Sequence, residues 1–283
     1  MLVREFCRVT GELFYPPCCA VCRTALNGTE LHDLPAARGL VCSTCSLPLP
    51  TEPSPFNEHC SRCHAAKRWC AADGTCLVCL LLPPYIGRVH ALYPFAGSVE
   101  RILKRFKYGG GRRMANYLAA TVSETGFIQH CAPDAIVALP SSAERLRSRG
   151  YSHTDLLARA LAKATNYPFA FRALSSTGKR AAQAGLTAAG RLANVRSRFT
   201  ACTSAVAERH ILLVDDLLTT GSSALEASRA LAEAGANRID VLTIAHSRQF
   251  SEHFIRTLCD TAENRRSAAE AQGKFSSARN IIP

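Results

Sequence analysis

No stretch of this 283-residue chain approaches the roughly 20 consecutive apolar residues that a membrane-spanning helix needs. The first segment lacks the pattern of an export signal as well. Met1 to Phe14 is interrupted by Arg4, Glu5, Arg8 and Glu12 and reads as a short amphipathic helix. The expected location is therefore cytoplasmic, where disulfides are rare. Aromatic residues are scarce, at 7% with a single Trp. No internal repeat is evident apart from a recurring Cys-x-x-Cys.

Cysteine is the exception to this sparseness, with fourteen residues. Eight fall in pairs: Cys19 and Cys22, Cys42 and Cys45, Cys60 and Cys63, Cys76 and Cys79. Two residues between thiolates put both sulfurs on one side of a tight knuckle, which suits tetrahedral Zn²⁺. Nineteen residues separate the first two pairs, within the spacing of a zinc site, and twelve separate the last two. Two Cys₄ zinc sites with sequential pairing are expected, with interleaved pairing of the first and third knuckles left open. Cys18 and Cys70 lie near enough to compete as ligands, and His59 and His64 are possible substitutes. The segment is rich in Pro and polar residues, so metal binding would supply much of its folding energy. Four thiolates leave no open position for a substrate, so the knuckles read as structural. Cys7, Cys131, Cys202 and Cys259 stand alone and read as ordinary core or surface thiols.

The net charge of +12 is unevenly placed. Residues 100–200 hold 17 Lys/Arg against 5 Asp/Glu, and the rest of the chain is neutral. Such a window fits a polyanion: pyrophosphate, nucleic acid or both. Aromatics there are few (Tyr108, Tyr117, Tyr151, Phe171), which argues against extensive reading of bases by stacking.

Beyond Pro83-Pro84 the pattern becomes globular. Strands are predicted over 88–95, 133–140, 169–174, 211–215 and 238–245. Helices are predicted from Val99 to Phe106, stopping at Gly109-Gly110-Gly111, and over 114–125, 155–165 and 221–235. This alternation points to an α/β parallel sheet covered by helices. Ser175 to Gly190 has no apolar period and reads as a mobile lid. Three regions follow: an N-terminal helix with a double zinc-knuckle domain over 1–84, the α/β domain over 85–248, and a tail over 249–283.

The richest stretch is His210-Ile211-Leu212-Leu213-Val214-Asp215-Asp216-Leu217-Leu218-Thr219-Thr220-Gly221-Ser222-Ser223. An apolar strand ends in two carboxylates, a small polar loop follows, and then an amphipathic helix. Ligands of open α/β sheets sit beyond the strands' carboxyl ends. The loop amides and the positive end of the helix suit a phosphate, and the acids suit the hydroxyls of a ribose. Together they spell a ribose-5-phosphate site. The stretch resembles the phosphoribosyl pyrophosphate (PRPP) motif of type I phosphoribosyltransferases.

The chain as a whole is similar to the ComF family. The likeness runs from Phe14-x-Pro16-Pro17 through the four knuckles, Phe106-Lys107-Tyr108-Gly109, Arg145-x-x-x-Arg149-Gly150-Tyr151 and Gln183-x-Gly185-Leu186. It continues through Arg191-x-x-Asn194-Val195-Arg196, the acidic motif and Ala234-Gly235-Ala236. The resemblance implies a type I phosphoribosyltransferase-like fold with a small N-terminal zinc-binding domain. It implies that Asp215 and Asp216 contact ribose hydroxyls and act in any catalysis. By the same token Thr219, Thr220, Gly221, Ser222 and Ser223 hold the 5-phosphate, and Ser141 to Arg145 form a pyrophosphate-side loop. Gln183 and Arg191 would lie on a closing loop, with Mg²⁺ accompanying PRPP. The implied role is DNA uptake in natural transformation, with single-stranded DNA and uptake proteins as partners. An active phosphoribosyltransferase with an unidentified acceptor is the alternative. Two departures stand out: Ala138-Leu139-Pro140 replaces the family's Pro-Val-Pro, and Tyr151-Ser152-His153 replaces Phe-Asn-Gln. His153 is a candidate general base, with a helix cap or a surface position as the plainer reading.

Overall fold

The computed structural model describes residues 18–26, 41–48, 75, 77–141, 146–147, 150–177 and 198–247. Its centre is a four-stranded parallel sheet of β1 (Ile86–Pro94), β2 (Ala135–Ala138), β5 (His210–Leu218) and β6 (Arg238–His246), in the order β1-β6-β5-β2. A two-stranded antiparallel ribbon joins β3 (Leu174–Ser176) to β4 (Phe199–Ala201). The helices are α1 (Leu77–Leu81), α2 (Gly97–Arg105), α3 (Gly111–Ser123), α4 (Phe127–Cys131), α5 (His153–Thr165), α6 (Thr203–Val206) and α7 (Ser222–Glu233).

The central strands are mostly apolar because both sheet faces are covered. Side chains alternate between faces along each strand. Ile136, Leu212, Val214, Leu242 and Ile244 pack with Ile102, Leu103, Tyr117, Leu118, Leu157 and Leu161 of α2, α3 and α5. Ala135, Val137, Ile211, Leu213 and Val241 pack on the opposite face with Ala227 and Leu231 of α7.

Boundaries differ from the sequence expectation where one glycine or one backbone pairing decides them. Between α2 and α3 the chain passes through a π-wound turn, Phe106–Gly110, in which Gly109 leaves helical geometry. The expected stop at the glycines is thus a kink, and α3 starts at once at Gly111. The expected strand over 169–174 is split. Phe169 bridges Ile136 in parallel, whereas the chain reaches β3 only at Leu174. The expected lid begins inside β3, whose Ser175 pairs with Thr200. Residues 178–190 of that segment, the expected N-terminal helix and the tail over 249–283 lie outside the described residues.

Candidate functional site

The topology selects one end of the sheet. From β5 the chain runs through α7 to β6, on one side. From β2 it runs through α5 to Phe169, whose bridge to Ile136 lies on the other side of β2. The connections diverge between β2 and β5, and such a switch point opens a crevice at the strands' carboxyl ends. A cleft of about 370 Å³ lies there. Leu139, Pro140 and Ser141 after β2 form one wall, and Asp215 to Gly221 with Ser223 and Ala224 form another. Lys107, Tyr108, His153, Thr154, Arg198 and Phe199 complete it.

The two acids are unequal. Asp216 is 4% exposed, whereas Asp215 is half-buried. Lys107 Nζ lies 2.6 Å from Asp216 Oδ2, and His153 Nε2 lies 3.4 Å from Oδ1. Burial opposes ionisation of Asp216, but the hydrogen bond from His153 and the ammonium of Lys107 outweigh it and hold the carboxyl below its usual range. Asp215 moves the other way: burial and then the neighbouring Asp216 charge push its carboxyl well up. Its Oδ1 accepts the Asp216 amide at 2.8 Å. Asp216 therefore anchors Lys107 and His153, and Asp215 is the more exposed of the two acids in the cleft.

Three residues around α5 build this arrangement. The Tyr151 hydroxyl donates to the carbonyl of Phe106 at 2.8 Å and lies 3.3 Å from that of Lys107, tying down the turn that carries Lys107. Ser152 caps α5, accepting from the Asp155 amide. His153 is buried, with its ring edge-on to Phe106 at 5.8 Å. It is thus neither the cap nor a surface residue, and the altered Tyr151-Ser152-His153 segment carries a connected set of contacts to the acidic pair.

Across the cleft, Gly221 takes φ 76° and turns the loop into α7. The positive φ favours glycine. A helix's first amides have no acceptor within the helix and carry its positive dipole end. Thr220 Oγ1 lies 3.0 Å from Ser222 Oγ. Arg198 Nη1 donates to Ser223 Oγ at 3.3 Å. Ser141 Oγ is shielded from solvent with no hydrogen-bond partner among the described residues. Amides, hydroxyls and two cations around an orphaned buried hydroxyl fit a phosphorylated, hydroxyl-bearing ligand. With such a ligand, Asp215 and the phosphate oxygens would offer hard donors of the kind Mg²⁺ prefers.

The sequence-derived residues Asp215, Asp216, Thr219, Thr220, Gly221 and Ser223 all line the cleft, and Ser222 starts the adjoining helix. Arg145, Gln183 and Arg191 lie outside the described residues. Lys107 and Arg198 were not assigned to the site from sequence. Lys107 sits in the Phe106-Lys107-Tyr108-Gly109 segment, but only the turn after α2 shows that its ammonium reaches β5. Arg198 is one cation among 17 in the basic window, and only the β3–β4 pairing brings it to the cleft.

The first two knuckles converge. The thiols of Cys19, Cys22, Cys42 and Cys45 lie within 4.8 Å of one another, a group able to hold a metal ion. Cys22 Sγ and Cys42 Sγ are 3.7 Å apart. Hydrogen bonding to Thr24 draws the Cys22 thiol down to about 6, which favours the thiolate that a metal requires. This is the sequential arrangement of the first site. The knuckles dock on the main core: Leu47 N donates to Tyr117 Oη at 2.7 Å, Tyr93 Oη to Pro48 O at 2.7 Å, and Arg105 Nε to Ala20 O at 2.9 Å. Of the second expected site only Cys79 is described; it is buried at the end of the sheet's apolar layer with Leu81 and Ile86. Cys60, Cys63 and Cys76 lie outside the described residues, as do Cys70, His59 and His64.

Comparison with known proteins bears on this combination of cleft and knuckle. No family model matches the chain. It is 26% identical over 222 residues to competence protein F of Haemophilus influenzae, covering 76% of this chain and 94% of that protein. The chain is thus similar to competence proteins of the ComF type. It is also 27% identical over 217 residues to DNA utilization protein YhgH of Escherichia coli, covering 71% and 94% of the two chains. Competence protein ComFC of Bacillus subtilis is 26% identical over 148 residues, or 51% and 58% of the chains. Among solved structures, the glutamine PRPP amidotransferase from B. subtilis overlays with a TM-score of 0.33 at 19% identity, covering 49% of this chain and 30% of that one. The allosteric regulatory enzyme of purine biosynthesis gives 0.32 at 15%, covering 54% and 39%. The parallel sheet flanked by helices is read from the strand order of this chain itself. Among its described residues no helix is long and apolar enough to cross a membrane.

Proposed function

We propose that this ComF homologue binds PRPP, or another 5-phosphoribosyl compound, in the cleft between β2 and β5, and that it serves DNA uptake. The carrying observation is the placement of Asp215 and Asp216 beside the start of α7, with Lys107 and Arg198 in the same cleft. In this reading Thr219 to Ser223 receive the 5-phosphate on helix-start amides and hydroxyls. Asp215 accepts from the ribose hydroxyls, and Asp216 fixes Lys107 and His153 at the floor. Lys107, Arg198 and Ser141 take the pyrophosphate side, extended by Arg145, Gln183 and Arg191. Bound Mg²⁺ would supply charge neutralisation of the pyrophosphate.

The uptake role follows the names of the relatives, competence protein F and DNA utilization protein YhgH. The basic window gives single-stranded DNA a surface to meet. The knuckle regions are read as zinc-bearing structural modules, two in number, within the domain limits 1–84, 85–248 and 249–283. Turnover with an acceptor is the second reading. His153 Nε2 lies against Asp216 Oδ1, so it is engaged in holding the acid rather than facing an acceptor.

Calorimetric titration with Mg²⁺-PRPP tests the site. Native protein should bind, and Asp215→Ala/Asp216→Ala should lose affinity by about tenfold or more, the scale of one or two charge-assisted contacts. Unchanged affinity in the double variant overturns the assignment. Fluorescence anisotropy with single-stranded DNA tests the uptake reading: absence of binding at low salt removes its physical basis.

A further inference from the structure

A second group of metal-ligating side chains lies at the opposite end of the sheet. Cys131 closes α4, His210 opens β5, and Asp240 sits near the start of β6. His210 and Asp215 are five residues apart on one strand, so about 16 Å separates this group from the acidic pair. Cys131 Sγ to Asp240 Oδ2 is 2.9 Å, His210 Nε2 to the same oxygen is 3.2 Å, and Cys131 Sγ to His210 Nε2 is 3.8 Å. All three ligand atoms lie within 4.8 Å of one another.

We propose that Cys131, His210 and Asp240 form a further metal site, suited to Zn²⁺ or a similar borderline-soft divalent ion. One thiolate, one imidazole and one carboxylate form a donor set of zinc type. Tetrahedral zinc bonds of about 2.0–2.3 Å separate neighbouring ligand atoms by about 3.3–3.6 Å. The observed edges of 2.9, 3.2 and 3.8 Å bracket that range, so small side-chain adjustments close the triangle around an ion. The three residues come from three elements whose backbones are pinned. Asp134 Oδ2 accepts the His210 amide at 2.8 Å, and β5 pairs with β6 from His210 to Arg238 onward.

The surroundings support a prepared site. Asp240 is fully buried, and Cys131, His210 and Arg238 all lie within hydrogen-bonding distance of its carboxylate. Arg238 Nε and Nη2 each lie 3.2 Å from the carboxylate, orienting it from outside as the second shell of a metal centre does. Gly87 of the neighbouring β1 leaves the necessary room: a Cβ there would collide with Asp240 Oδ1 and come within 2.5 Å of Arg238 Nε. Access comes from the His210 side, where the side chain is 17% exposed. On binding, the Cys131 thiol gives up its proton to solvent. The His210 proton moves to Nδ1, so Nε2 offers its lone pair. Three protein ligands would leave the fourth position to water.

The test uses the full chain with its N-terminal cysteine sites already loaded with zinc. Titrated Co²⁺ should give visible ligand-field bands and a thiolate charge-transfer band saturating at one equivalent, and added Zn²⁺ should displace them. Cys131→Ser should lose the charge-transfer band. His210→Gln, at the accessible edge, should weaken binding by about tenfold or more. Native protein should also melt higher with excess Zn²⁺, and folded His210→Gln should not. Absence of the bands in native protein, or identical bands in both variants, overturns the site and leaves a hydrogen-bonded network alone. If Cys131→Ser does not fold, the native titration and His210→Gln decide the question.

Discussion

Lys107 Nζ lies 2.6 Å from Asp216 Oδ2, joining the turn after α2 to the carboxyl end of β5. The contact crosses more than a hundred residues of sequence and sets the charge of the cleft floor. Asp216 can stay ionised while buried because Lys107 and His153 face it. Removing the ammonium leaves a buried carboxylate with one partner fewer. Lys107→Met is expected to lower stability by about 1–3 kcal/mol, the cost of stranding a buried charged acceptor. A reduced midpoint in urea denaturation checks this, and PRPP affinity should fall in the same variant.

Asp215 carries the opposite expectation. Burial and the adjacent charge raise its carboxyl, so ionising it at neutral pH works against the fold. Asp215→Asn should raise the melting temperature at pH 7 by roughly 2–4 °C, what about 1 kcal/mol yields for a domain of this size, while weakening PRPP binding. A lower melting temperature would contradict the unequal roles of the two acids.

The acids also fix the sign of the pH dependence. The folded-state carboxyl of Asp216 lies below its unfolded value of 3.8. Its stabilisation is therefore complete above that value and is lost as pH falls through the folded-state titration. The raised Asp215 favours the fold at low pH and loses that advantage as pH rises above 3.8 toward its folded-state titration. Asp216→Asn should flatten the acid limb of a stability-against-pH curve, whereas Asp215→Asn should flatten the decline on the higher-pH side. Denaturant midpoints measured across the pH range separate the two.

Tyr151 tests whether the Tyr that stands here in place of the Phe expected from the resemblance has a physical role. Its hydroxyl holds the carbonyl of Phe106 at 2.8 Å. Tyr151→Phe should cost about 1 kcal/mol, one hydrogen bond, and loosen the turn carrying Lys107. Hydrogen exchange at Lys107 and Tyr108 should speed up, with PRPP affinity reduced. Unchanged exchange would show that the turn is held by other contacts.

Zinc removal addresses the knuckles. Leu47 N on Tyr117 Oη and Pro48 O on Tyr93 Oη join the segment to the core. Chelation should therefore lower the melting temperature of the whole protein and expose Tyr117. Cys22→Ser should reproduce the effect by removing one of four converging thiols.

The alternating apolar strands and helices, the acidic pair followed by a small polar loop, and the Cys-x-x-Cys spacing were all legible in the sequence. Each is a local pattern: strand burial on both faces, a helix start and a two-residue knuckle leave their marks within about a dozen residues. That is why α7 falls close to where expected, and β5 as well, except that its pairing with β6 carries the strand past the acids to Leu218. Tertiary structure alone decided what meets across the chain. Lys107 reaches Asp216 through the turn after α2, and Arg198 reaches Ser223 through the ribbon of β3 and β4. His153 leaves the surface because Phe106 packs against it. Cys131, ordinary by sequence, meets His210 and Asp240 because one helix ends and two strands begin at the same end of the sheet. Such contacts depend on strand order and on the direction of each crossover, which residue spacing does not record. The sequence determined a cradle for a phosphate and two carboxylates; the packed sheet decided that one acid is an anchor and the other is the more exposed of the two in the cleft.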